Sequence, residues 1–251
     1  MIKIRNKKLP EDFQPIRVSS PVKNPWIFRL RCVVDFQLLT ISKYIKPEIK
    51  KIKGTCLDVG AGDCPWRGWL SSSVIYTGID VENSSDFGMR KASDVIYYDG
   101  KNIPYNDSVF DNVICIEVLE HTCDPQLLLS EINRVLRKNG TVLLTVPWSA
   151  RIHHIPYDYH RFTKECLHII FTKCGFSDIE ISERGSDISV IANKLIVLNL
   201  RLIKSGFGLF APIGFLCLPI TFIFILFGHL SEYFGVGAKE DPLGYFVKAT
   251  K

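Results

Sequence analysis

The chain has 251 residues, 47% of them hydrophobic and 23% charged, with a formal net charge of +5. This composition excludes wholesale disorder, a collagen-like repeat and a multi-span membrane protein, and the length fits one large domain or one domain with additions. The charge is unevenly spread: residues 1–53 carry 13 Lys/Arg against 4 Asp/Glu, and the remaining 198 residues carry 18 against 22, so a basic front precedes a slightly acidic body.

The eight cysteines form no CxxC pair and no zinc-ligand spacing, so they read as small apolar residues in a reducing compartment. Met1–Pro10 is polar and basic where a secretory signal would need an apolar run, which leads us to expect a cytoplasmic protein, peripheral at the inner face of a membrane if it is attached to one.

In chain order, the spacing of Ile27, Leu30, Val34, Leu38, Ile41 and Ile45 predicts one helix with these residues on its buried face, ending near Pro47. Short apolar runs then predict strands at Thr55–Val59, Val74–Asp80, Val95–Asp99, Phe110–Glu117 and Thr141–Val146. Between the last two, Asp124 is expected to cap a helix that has Pro125 at its first position. Leu128, Ile132, Val135 and Leu136 would be its buried face and Gly140 its stop. A helix at Thr163–Cys174 stopped at Gly175, a strand at Asp178–Ser182 and a final strand at Tyr245–Ala249 complete the pattern. Strands alternating with helices imply a parallel sheet with right-handed crossovers.

Two stretches stand outside this alternation. Ile188, Ile191, Leu195, Leu198 and Leu202 predict an amphipathic helix whose polar side carries Lys194, Arg201 and Lys204. Ser205–Ser231 then contains no Asp, Glu, Lys or Arg but includes Pro212 and Pro219, which suggests a bent apolar hairpin. Such a unit can dip into one membrane leaflet, fill a dimer interface or the core, or form a single span. The span would separate strands that belong to one sheet. We therefore expect peripheral membrane contact through residues 186–231, with a homodimer as the alternative.

The sharpest local signal is Leu57-Asp58-Val59-Gly60-Ala61-Gly62-Asp63-Cys64-Pro65 after the first strand. Glycines at a strand-to-helix turn let a ligand approach the backbone at the carboxyl edge of a parallel sheet. As a dinucleotide fingerprint the run is imperfect, because Pro65 replaces the third glycine, which counts against a nicotinamide oxidoreductase. Asp80 closes the second strand, where a carboxylate can accept both hydroxyls of a ribose, and Asp99 closes the third, where one can accept from an adenine amino group.

From about Lys53 to Phe176 the chain resembles the class I S-adenosylmethionine-dependent methyltransferases of the type-11 domain branch. The resemblance rests on the glycine loop, Asp80, Asp99, Ile103-Pro104 through Phe110-Asp111, Glu117-Val118-Leu119-Glu120-His121 and Glu131-Ile132-Asn133-Arg134-Val135-Leu136 leading to Asn139-Gly140. It implies a Rossmann-like α/β fold with a seven-stranded sheet, mostly parallel with the last strand antiparallel, and here an apolar helical insertion before that strand. The expected units are a basic arm and helix at 1–53, the cofactor-binding core at 54–184, the insertion at 185–235 and the final strand at 236–251. S-adenosylmethionine is the expected cofactor. Asp58, Gly60, Ala61, Gly62, Asp80, Val81, Asp99, Gly100 and Glu117 are the residues expected to bind it. Cys64 departs from the third glycine common in the family.

Methyl transfer to a hydroxyl also needs a base, and the candidates are His121, His154 and His160, the last two in the segment Arg151–Thr163. The Pro-Tyr-Asp-Tyr-x-Arg-Phe-Thr run there is similar to methyltransferases thought to act on sugars or glycolipids in surface-polysaccharide pathways. Glu117, Glu120 and His121 also resemble the Glu-x-x-Glu-His of methyltransferases that bind a divalent ion, a set that His153 or His154 could join around Mg²⁺. Many members carry that pentapeptide without metal, so a metal stays undecided. The expected acceptor is a small or lipid-linked molecule, with a quinone as the alternative, and a non-catalytic membrane-associated scaffold is the reading from another class. No basic stripe interleaved with aromatics supports a nucleic acid partner.

Overall fold

The computed structural model describes residues 17–87, 89, 91–204 and 210–251. The part of the basic arm before Arg17 and residues 205–209 of the uncharged run lie outside the described residues.

Inside the sheet runs β1 (Thr55–Val59), flanked by β2 (Ile75–Val81) and β4 (Phe110–Ile116), both parallel to it. The sheet has seven strands in the order β3-β2-β1-β4-β5-β7-β6, with β3 at Val95–Tyr98, β5 at Leu136–Pro147, β6 at Ser177–Arg184 and β7 at Gly244–Thr250. β7 is antiparallel to both β5 and β6, as the resemblance implied. The strand order reverses between β1 and β4, and the carboxyl ends at such a switch point form the crevice where sheets of this kind take ligands.

Both faces of the sheet are covered, which is why its inner strands read as continuous apolar runs. Neighbouring residues point to opposite sides. Leu57, Val113, Val142 and Leu144 meet one core with Leu128, Leu129, Ile132 and Val135 of α3 (Pro125–Val135) and Leu167, Ile170 and Phe171 of α4 (Lys164–Lys173). Cys56, Ile114, Leu143 and Phe246 meet the other, with Leu38, Ile41, Ile45 and Ile49 of α2 (Phe36–Ile49). The residue before each helix sets its start, as the sequence suggests: Asp124 accepts from the Leu127 amide at 3.0 Å and Thr163 from that of Cys166 at 3.1 Å.

Three expectations change. The single N-terminal helix is two, α1 (Pro25–Val34) and α2, because Asp35 both ends the first and caps the second through the Leu38 amide. In α1 the buried residues are Phe28 and Cys32, whereas Ile27, Leu30 and Val34 are exposed. Gly140 does not stop α3, which ends at Val135. It lies inside β5, where a Cβ would meet the Arg137 carbonyl at 2.8 Å and that of Asp111 at 3.1 Å.

The third change concerns the insertion. No bend at Pro212 or Pro219 forms a hairpin; Phe210–Phe234 is one helix, α6, and it pairs instead with α5 (Asp187–Lys204). The two are packed with their small and polar residues inward. Asn199 donates to Thr221, the Ser186 and Ser231 hydroxyls meet at 2.7 Å, and Gly214 and Gly228 allow close approach to Ile203 and Phe36. The apolar stripe on α5 is turned outward or half-exposed: Ser189, Val190, Ala192, Ile196 and Asn199 are buried, while Ile191 and Leu198 are exposed. Period alone could not locate the buried face, because both faces of α5 carry aliphatic residues.

Candidate active site

Three carboxylates stand at the carboxyl ends of β1, β2 and β3. Asp58 is buried and accepts from the Tyr76 hydroxyl at 2.8 Å. Burial pushes its carboxyl up to about 7; the Tyr76 bond opposes this and the nearby Asp80 charge adds to it. Asp80, also buried, accepts from the Gly62 amide at 2.9 Å and from the Val81 amide at 2.7 Å. Burial raises its pKa too, against those two amides. Asp99 is exposed and turned to its own loop, accepting from the amides of Lys101 and Asn102, which hold its carboxyl below the usual range.

The glycine loop is drawn tight against β2. The amides of Gly60 and Ala61 both donate to the Ile79 carbonyl, at 2.9 and 3.0 Å. Gly60 has φ +72° and a Cβ there would lie 2.4 Å from Val118, so no other residue fits. Gly62 and Cys64 follow with positive φ, and Cys64 thus adopts, at some strain, the backbone a third glycine would take freely. Gly100 packs on Val81 across the ends of β2 and β3. Among the described residues, the buried Ser84 hydroxyl just beyond Asp80 has no partner.

This arrangement suits S-adenosylmethionine. Two buried carboxylates, with no ion-pair partner among the described residues, line a loop drawn tight at Gly60, and the Ser84 hydroxyl, unpartnered among the described residues, lies beside them. Asp80 retains acceptor capacity for ribose hydroxyls, and Asp58 for donors near the loop.

Glu117 follows β4 with φ +56°, a conformation that costs a non-glycine residue on the order of 1–3 kcal/mol. Its Oε1 accepts from Arg184 Nη2 at 2.7 Å. Arg184 is fully buried at the end of β6 and also donates to the carbonyls of Val146 and Tyr245. The sequence reading missed this arginine, since only the tertiary fold brings the end of β6 to that of β4.

The turn Leu119–His121 and the loop 150–160 meet beside Glu117. The rings of His121, His153 and His154 contact one another with centroids 4.8 to 5.2 Å apart. His121 Nδ1 is 2.9 Å from the Tyr157 carbonyl, and Asp158, clamped by Arg161, accepts from the His153 amide. Burial and the neighbouring His153 depress His121 to about 4 and His154 to about 3, so both rings are neutral at pH 7. The structure thus brings His121 and His154 together with His153. His160 is not in this cluster; its ring stacks on Phe162 and its buried Nε2 has no partner among the described residues. The loop also reaches across the crevice, where the Tyr157 hydroxyl donates to Asp86 at 3.2 Å.

Residues 57–144 match the family model of the methyltransferase domain. The chain is 32% identical over 127 residues to a demethylmenaquinone methyltransferase of Staphylococcus saprophyticus, covering 46% of this chain and 54% of the relative. It is 27% identical over 100 residues to a phosphatidylethanolamine N-methyltransferase of Cereibacter sphaeroides, covering 36% and 49%. The chain thus spans about half the length of these two relatives. Two solved structures share the fold. A methyltransferase from Archaeoglobus fulgidus has a TM-score of 0.51 at 17% identity, covering 90% of this chain and 100% of that one. A [4+2]-cyclase has 0.52 at 19%, covering 86% and 82%. The cyclase is a reminder that this sheet alone does not fix a reaction. The match runs from β1 to β5, with the carboxylates and glycine loop in the order that the sequence resemblance implied, so residues 57–144 are similar to a methyltransferase domain.

Proposed function

We propose that this chain transfers a methyl group from S-adenosylmethionine to an acceptor drawn from a lipid surface. The observation that carries the reading is the position of the α5–α6 pair. It leaves the sheet after Arg184 and returns at Gly244, so both its connections are at the edge that carries Asp58, Asp80 and Glu117. The pair is inside-out for a water-soluble element: its polar contacts face inward, and most of the large apolar side chains of α6 are exposed. Leu216 is 76% exposed and Phe222 69%, and the exposed Trp26, Ile27 and Leu30 of α1 extend the apolar surface, since the Val33 carbonyl meets His229 of α6. Apolar patches larger than a few hundred Å² are rare on soluble monomers. Exposed cations at Arg29, Lys194, Arg201 and Lys204 suit anionic headgroups beside it. The two relatives named for demethylmenaquinone and phosphatidylethanolamine methylation support a lipid acceptor. A lipid-linked sugar, suggested by the Pro156–Thr163 run, belongs to the same class.

In this reading Asp80 holds the ribose with Val81 beside it. Asp58 and the Gly60–Gly62 backbone border the methionine part, Asp99 and Gly100 the adenine, and Glu117 the methyl end. When bound, the sulfonium supplies an already activated methyl. The protein's task is to place the acceptor in line with it, which is worth up to ~7–11 kcal/mol as effective molarity. Arg184 fixes Glu117, and the loop 150–160 screens the crevice from water. Neutral His121 and His154 stand on the acceptor side.

The test is to incubate the purified chain with methyl-labelled S-adenosylmethionine and a total lipid extract. Label is expected in the organic phase and absent with Asp80→Ala. Binding of the cofactor with no label in any fraction would favour the silent scaffold.

A further inference from the structure

We propose that His121, His153, His154 and Glu120 form a binding site for one divalent transition-metal ion, which ties the loop 150–160 to the turn after β4. One ligand atom from each of the three histidines lies within 4.8 Å of the others, in half-buried surroundings. Closing that spacing to the roughly 3.3 Å between neighbouring ligands of a tetrahedral ion with ~2.0–2.1 Å bonds to nitrogen needs a shift of about an ångström or so.

Glu120 is the second, independent observation. Its side chain is fully buried, neither carboxylate oxygen has a hydrogen-bond partner among the described residues, and Oε1 lies 3.5 Å from His121 Nε2. An unsatisfied buried carboxylate is costly, and a cation between it and the imidazoles would remove that cost.

The outer contacts of the cluster also fit. His121 Nδ1 faces the Tyr157 carbonyl, and His153 Nδ1 lies 3.1 Å from the Arg151 carbonyl and 3.3 Å from Asp158 Oδ2. Backbone carbonyl and carboxylate partners on one ring nitrogen are what orient the other toward a metal. Glu117 is not part of the set, because Arg184 holds it. Three imidazoles and one carboxylate select zinc, cobalt, iron or manganese over magnesium, which prefers oxygen ligands and keeps its waters.

Co²⁺ is the probe, since its visible absorption reports nitrogen coordination. The metal-free full chain should bind one equivalent with intense d–d bands, which Zn²⁺ displaces and millimolar Mg²⁺ does not. His153→Asn and, separately, Glu120→Gln should each weaken Co²⁺ binding at least tenfold. S-adenosylhomocysteine affinity, measured by calorimetry without metal, should be unchanged in both, which also shows that each variant is folded. His154→Asn, also in the half-buried cluster, is a further variant should either fail to fold. Absence of the bands in the wild-type chain, or equal Co²⁺ affinity in the wild type and the folded variants, would overturn the site.

Discussion

Arg184 Nη2 donates to Glu117 Oε1 at 2.7 Å, joining the end of β6, where α5 departs, to the end of β4. With its guanidinium fully buried, Arg184 also satisfies the carbonyls of Val146 and Tyr245. One side chain thus holds together the Glu117 carboxylate after β4, the middle of the sheet and the root of the helical insertion.

Removing one partner of such a pair leaves the other uncompensated. Arg184→Met should destabilise the chain by about 3–5 kcal/mol in urea unfolding. Arg184→Lys should recover only part, because a single ammonium cannot serve Glu117 and two carbonyls together. In a double-mutant cycle with Glu117→Gln the losses should fall short of additive, and fully additive losses would mean that the pair contributes nothing.

Asp58 gives a pH dependence with a definite sign. Its carboxyl titrates near 7 when folded and at about 3.9 in an unfolded chain, so the native state binds the extra proton between those values. Its contribution to stability is complete below the unfolded value and is lost as pH rises through 7. Asp58→Asn keeps an acceptor for Tyr76 and avoids the buried charge. At pH 8, without ligand, it should therefore melt several degrees above the wild type, yet bind S-adenosylhomocysteine more weakly. A lower melting temperature at pH 8 would contradict the account of Asp58.

In the proposed reading Asp80 is the carboxylate that holds the ribose. Asp80→Ala removes an acceptor for charge-assisted bonds worth about 1.5–3 kcal/mol each, so calorimetry should show S-adenosylhomocysteine binding weakened by roughly 100-fold. Asp99→Ala should cost less, because that carboxylate is exposed and engaged with its own loop.

The exposed faces of α1 and α6 predict vesicle binding. Leu216→Glu with Phe222→Glu alters only exposed positions, where substitutions usually change stability by less than about 0.5 kcal/mol. Sedimentation with anionic vesicles should fall at least tenfold in this variant, and in the wild type it should weaken with added salt. A wild-type dimer that ignores vesicles and becomes monomeric in the variant would assign the face to a second copy instead.

The sheet was legible in the sequence because its strands are short apolar runs bounded by Gly, Asp and Pro, and the glycine loop with Asp80 and Asp99 follows them in order. Boundaries shifted by a residue or two, except in β5, which begins five residues early because Leu136 can follow α3 directly into extended backbone. What local pattern could not show depends on distant contacts. Leu30 and Ile27 lie at the right helical spacing yet face outward once Asp35 breaks the helix, and the phase of α5 is set by Thr221 and Ser231 of α6. At the site, Tyr76, Arg184 and the gathering of His153 with His121 needed the fold, since their partners are 18 to 67 residues away.

The most direct measurement brings the domain and its insertion together. The wild-type chain and the Leu216→Glu, Phe222→Glu variant would each be given methyl-labelled S-adenosylmethionine and vesicles made from a total lipid extract, with S-adenosylhomocysteine affinity measured in parallel. The account predicts equal affinity in both, label in the lipid of the wild-type reaction and at least tenfold less with the variant. Label only in water-soluble product, or equal lipid labelling by both proteins, would contradict it.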